Sequence, residues 1–165
     1  MAFAFASCNS EDGPDDSMAH LIENSKPLFY WATNVVDNPL DMGVGMPETF
    51  EYSINKGKHG EYILHVLHKN MTCNVASDKI GVLVHDGKDG SIHIHEKENR
   101  MDANGIRQHD VSYDIPYYGK GKYSVFLYHD VVTAEESSPY FQFDLEVNYG
   151  VKGSFVIAPA GVMED

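Results

Sequence analysis

The chain reads as an all-β domain, an antiparallel β-sandwich of eight or nine strands. Apolar and polar residues alternate over short runs, most cleanly at Tyr140–Tyr149, where Phe141, Phe143, Leu145, Val147 and Tyr149 share one face. Breaks rich in Gly, Pro, Asn and Asp recur between the runs, and no stretch carries the helical period of an amphipathic helix. Strands joined by short turns, with no helix to cover them, bury their apolar faces against one another in two layers.

Taken in order, Leu28–Val36 (LFYWATNVV) is β-prone and holds the only tryptophan, so it is expected as one strand or extended segment on the core. Residues 37–47 form a loop that carries Met42 and Met46. Thr49–Ile54 is a strand closed by a turn at 55–60, and Glu61–Lys69, apolar on both faces, is a central strand. Lys79–His85 puts Ile80, Val82 and Val84 on one face. The loop Asp86–Gly90 (DGKDG) follows, and Ser91–Glu96 returns with Ile92 and Ile94 inward. Gln108–His129 is expected as a hairpin about the break at Pro116–Lys122. Its inward set is Val111, Tyr113, Ile115, Tyr123, Val125 and Leu127, and Asp110, Ser112 and Asp114 face water. After an acidic loop at 131–139 come Tyr140–Tyr149, a turn at 150–153 and a last strand at Ser154–Ala158.

At 165 residues the chain holds one core and is too short for two domains. The net charge of −13 argues against nucleic acid as a partner, because such a surface releases no counterions from a phosphate backbone. Solubility is the simplest use of that charge. No run of about 18 apolar residues is present to cross a membrane as a helix.

The N-terminus, MAFAFASCNSEDGPDD, changes character at Cys8. Small and aromatic apolar residues precede the cysteine, and an acidic tract begins immediately after it. This resembles the end of a bacterial lipoprotein signal peptide, in which the cysteine is lipidated and becomes the mature N-terminus. The resemblance implies that residues 1–7 are the remnant of a signal peptide with a truncated start, that Cys8 carries lipid, and that the membrane is a partner through that anchor. Residues 8–20 then form an acidic flexible tether with nothing to bury, and 21–165 form the domain. With Cys8 lipidated, Cys73 is a lone thiol; it has no second cysteine at metal-ligand spacing and no basic neighbour, so it is expected as a small buried residue.

Nine histidines raise a metal reading, zinc or copper. Its sharpest form uses His85, His93 and His95. His93 and His95 lie on one strand face about 6.5–7 Å apart. A five-residue DGKDG loop would pair His85 with Ser91, Leu83 with His93 and Gly81 with His95, leaving the three histidines on the outward face. The bland reading is a polar solvent face, and no cofactor is expected. His65 and His68, three apart, fall on opposite faces, and His109 is expected as a satisfied, partly buried histidine. Met42, Met46 and Met71 are gap-fillers. Asp86, Asp89 and Glu96 lack the spacing of a calcium loop. Tyr117, Tyr118, Tyr128 and Tyr140 could stack on a sugar but read better as half-buried strand and turn residues. No nucleophile, acid–base pair or phosphate-cradling loop is recognisable, so the chain is expected not to be an enzyme.

Lys120-Gly121-Lys122-Tyr123-Ser124-Val125 resembles the G-x-Y-x-V pattern of immunoglobulin-like domains, which implies that Tyr123 is a structural residue at a sandwich corner. Leu67–Met71, the DGKDG loop, Asp110–Ile115 and this strand together are similar to small uncharacterised lipoproteins of Bacteroidetes-type bacteria, over roughly residues 61–128. Cysteines often precede the D-x-x-Y strand in that group; Gly105, Ile106 and Arg107 stand here. The resemblance implies an outer-membrane or cell-surface address and a non-enzymatic binding or structural role. It also makes Ser17, in Asp16-Ser17-Met18, a candidate O-glycosylation site. The ligand, whether protein or glycan, is not implied.

Overall fold

The computed structural model describes residues 28–38, 44–117, 119–131, 138–158 and 161–162; Cys8 and Ser17 lie outside them. The described chain is all strand and turn. Its strands are β1 (Leu28–Trp31), β2 (Asn34–Asn38), β3 (Val44–Gly45), β4 (Glu48–Lys56), β5 (Tyr62–Asn74), β6 (Ile80–Asp86), β7 (Ile92–Glu98), β8 (Ile106–Tyr117), β9 (Gly121–Val131), β10 (Phe141–Val147), β11 (Lys152–Ala158) and β12 (Gly161–Val162). Two five-stranded sheets form, in the orders β1-β6-β7-β9-β10 and β11-β4-β5-β8-β2, and β3 pairs with β12. Every pairing is antiparallel except that of β7 with β9.

The two sheets share one apolar core, which gives a β-sandwich-like arrangement. Phe50, Leu64, Val66, Tyr113 and Ile115 meet Val82, Val84, Ile94, Val125, Leu127 and Leu145 across it. Phe50 and Phe143, one from each sheet, pack with ring centroids 5.4 Å apart. Burying side chains of this size contributes about 1.5–3 kcal/mol each. The alternation read from the sequence therefore placed the core correctly, and β5 is indeed central, between β4 and β8.

Four expectations change, the last at the DGKDG loop. Leu28–Val36 is two strands, because the chain crosses between sheets at Ala32 and Thr33, whose amides donate to Ile80 in one sheet and Ser112 in the other. That split turns nine expected runs into the ten strands of the two sheets. Gln108–His129 is not a hairpin: β8 pairs with β5 and β2, whereas β9 pairs with β7 and β10. Period-two alternation says which face is buried but not which strand is the neighbour, and these two apolar faces lie on opposite sheets. Tyr149 sits past the end of β10 and is exposed, although Phe143, Leu145 and Val147 are buried as expected.

The DGKDG loop is tighter than five residues. Gly87 and Ser91 are joined by an amide-to-carbonyl bond of 2.8 Å, Gly90 donates to Gly87, and Gly90 takes φ +78°, so three residues make the turn. The pairing is consequently His85 with His93, Leu83 with His95 and Gly81 with Lys97, two residues away from the expected register. A shift of two keeps every side chain on its face.

Candidate functional site

The inner faces are not apolar throughout. Beyond Ile92 and Ile94, β7 keeps its period of two and turns Glu96 and Glu98 inward. In the same way β9 adds His129 after Val125 and Leu127, and β4 and β5 contribute Glu48 and His68. His68 is wholly buried, with Nδ1 2.7 Å from Glu96 Oε2 and Nε2 2.8 Å from Glu48 Oε1. The Tyr113 hydroxyl donates to the other Glu96 oxygen at 2.7 Å. Two carboxylates facing both ring nitrogens call for an imidazolium, which donates twice. Burial alone would lower the His68 pKa, but Glu96 and Glu48 outweigh it and hold the group at about 9. Burial likewise would raise Glu96, and His68 with Tyr113 brings it below its ordinary value. The four residues come from four strands and tie one sheet to the other.

Beside this seam stand Cys73 from β5, Glu98 from β7 and His129 from β9. His129 Nε2 lies 2.8 Å from Glu98 Oε1, the Asn74 amide donates to Glu98 Oε2 at 2.7 Å, and one ligand atom from each of the three residues lies within 4.8 Å of the others. Cys73 is buried as expected. Burial, then Glu98, Glu96 and Glu48, pushes its thiol far above the usual range. His109 is buried too, opposite Met71 in the register, but it is not satisfied. Its Nδ1 lies 2.8 Å from Asp37 Oδ1 without the alignment of a hydrogen bond, and its Nε2 has no hydrogen-bond partner among the described residues. Burial lowers its pKa more than Asp37 raises it.

On the opposite face of β7 the structure brings His85, His93 and His95 together, not on an open solvent face as expected, since His95 is fully buried and the other two are half-buried. The Nε2 atoms of His85 and His95 are 3.1 Å apart, and His95 Nδ1 lies 3.0 Å from Asp130 Oδ2. His93 turns its nitrogens elsewhere, Nε2 2.9 Å from Ser91 Oγ and Nδ1 2.8 Å from the Tyr128 hydroxyl. Its ring stacks on His85 at 4.8 Å between centroids. His65 and His68 do face opposite ways: His65 Nδ1 meets Asp114 Oδ1 at 2.6 Å on the exposed face, beside a shallow depression of about 510 Å³. Tyr123 is half-buried against the core, its ring folded back over Gly121, where an added Cβ would lie 3.3 Å from the hydroxyl. Asp89 caps its own turn through Ser91. Tyr128 faces the histidines, whereas Tyr140 packs near His129 on the other side of β9, so those two tyrosines make no single platform.

The residues that sequence reasoning passed over are Glu48, Glu98 and His129, and Glu96 enters it only as a calcium ligand beside the DGKDG loop. The signal was available in parity: Ile92, Ile94, Glu96 and Glu98 are spaced by two, as are Val125, Leu127 and His129. No helix among the described residues is long and apolar enough to cross a membrane. Comparison with protein-family models, curated proteins and solved structures finds no match.

Proposed function

We propose that the chain is a lipid-anchored module of a bacterial cell envelope, an immunoglobulin-like sandwich that binds or supports a partner and does not catalyse a reaction. The observation that carries this reading is the order of its parts: small residues, Cys8 and an acidic tract stand directly ahead of a two-layer β domain whose first described strand, β1, is an edge strand. Lipid at Cys8 would attach the domain at the membrane face without disturbing its core, and the twenty residues from Cys8 to Pro27 reach at most about 70 Å when extended. Metabolic labelling of the full open reading frame with a palmitate analogue tests it. Label that disappears in Cys8→Ser supports the anchor, and an unlabelled protein removes it.

A second reading is a zinc- or copper-binding protein using the hairpin histidines. The close approach of His85 and His95, with Asp130 orienting the second ring, favours it. His93 would have to give up its contacts with Ser91 and Tyr128 to join them. Calorimetric titration of His85→Ala/His95→Ala against the parent chain discriminates. A parent that binds neither metal below about 10 µM, or about −7 kcal/mol, retires this site.

A further inference from the structure

We propose that Cys73, Glu98 and His129 bind a zinc ion between the two sheets, with His109 as the fourth donor. The site is distinct from the histidines on the outer face and independent of the anchor. Its donor set, one thiol, one carboxyl and two imidazoles, is of the borderline-soft kind that zinc takes in preference to magnesium or calcium.

The fold supplies what such a site requires. The donors come from both layers: Cys73 and His109 from β5 and β8, Glu98 and His129 from β7 and β9. Cys73 pairs with Arg107 and Met71 with His109, so His109 and Cys73 are diagonal neighbours across β5 and β8. Glu98 is already oriented from outside the set by the Asn74 amide, which leaves its Oε1 toward His129. The 4.8 Å span of the first three donors compares with edges of about 3.5 Å in a tetrahedral zinc site, so closing those three asks for movements of about 1 Å, and His109, which lies outside that span, has farther to move.

Two features of the interior favour a cation. His109 buries a ring nitrogen with no hydrogen-bond partner among the described residues, an arrangement that is costly unless something else uses it. Glu48, Glu96 and Glu98 also share one interior, where His68 bridges the first two and Glu98 has only His129 and the Asn74 amide. A divalent ion at Glu98 would offset that gathering of carboxyl groups and join the layers at the end of the core away from the Phe50–Phe143 contact. His129, whose side chain is 23% exposed, gives the ion a way in.

The test uses the full chain carrying Cys8→Ser, which leaves Cys73 as its only thiol. Cobalt(II) is added under reducing conditions and then displaced with zinc. The expected result is one cobalt per chain, a thiolate-to-cobalt charge-transfer band in the near ultraviolet, and loss of that band on adding zinc. Cys73→Ser should abolish the band, and His129→Ala should weaken zinc by more than about 100-fold, with circular dichroism showing that the sheets persist. If Cys73→Ser fails to fold, Glu98→Gln serves in its place, with the same expected loss of zinc affinity. Cobalt bound without a thiolate band, or zinc affinity unchanged in His129→Ala and Glu98→Gln, overturns the site. Unchanged affinity in His109→Gln removes His109 from it.

Discussion

Raising the pH from 6.5 to 9 should destabilise the domain through His68. The imidazole titrates near 6.5 in an unfolded chain and at about 9 between Glu96 and Glu48, so folding binds a proton that the unfolded chain releases earlier. Its stabilisation is complete below pH 6.5 and disappears as pH rises through 9. At 1.36 kcal/mol per pH unit the interval corresponds to about 3 kcal/mol, a large share of the stability of a small domain. Glu96 acts at the other limb: its lowered pKa stabilises above the ordinary carboxyl value of 4.5 and is lost as acid protonates it. The groups facing His68 are Glu96 on β7 and Glu48 on β4, with Tyr113 on β8 holding the far oxygen of Glu96. Urea unfolding at half-unit steps from pH 6 to 9.5 is the assay, with m checked for constancy. Glu48→Gln, which leaves one carboxylate, should make the slope shallower. A parent whose stability is flat across this range, or a Glu48→Gln profile parallel to it, would refute the reasoning.

Tyr113→Phe leaves one oxygen of Glu96 buried without a donor and should cost about 1.5–3 kcal/mol, read from the urea midpoint, while the alkaline loss of stability remains. Asn70 holds φ +54° at the irregularity in β5, donates to the Pro47 carbonyl and accepts from Asn38. Asn70→Ala and Asn70→Gly both lose those bonds, but alanine also strains the left-handed backbone, so thermal melts should place Ala about 1–2 kcal/mol below Gly.

The inward residues of β5 through β10 were legible because a half-buried strand writes its exposure into every second position. The partners were not. Val111, Tyr113 and Ile115 alternate just as Val125 and Leu127 do, and nothing in that pattern says that a core separates them. The histidine register depended on Gly90, whose left-handed turn shortened the loop; parity preserved the face even so. Glu98 and His129 escaped notice, and Glu96 invited only a calcium reading, because a charged side chain is ordinarily read as facing water. Their burial follows from what stands opposite, His68 and Cys73, which come from strands distant in sequence.

The crossing at Ala32 and Thr33 makes one short segment the border of both layers. β1 covers the ladder of β6 from Gly81 to Val84, and β2 covers that of β8 from Gln108 to Ser112. A proteolytic nick that released residues up to Asn38 would bare two unpaired edges together, one of them the apolar run Ile80-Gly81-Val82-Leu83-Val84. Such an edge recruits a strand from another chain. The N-terminal segment thus acts as a guard against strand exchange, and trimmed protein should be recovered as oligomer or aggregate in place of monomer.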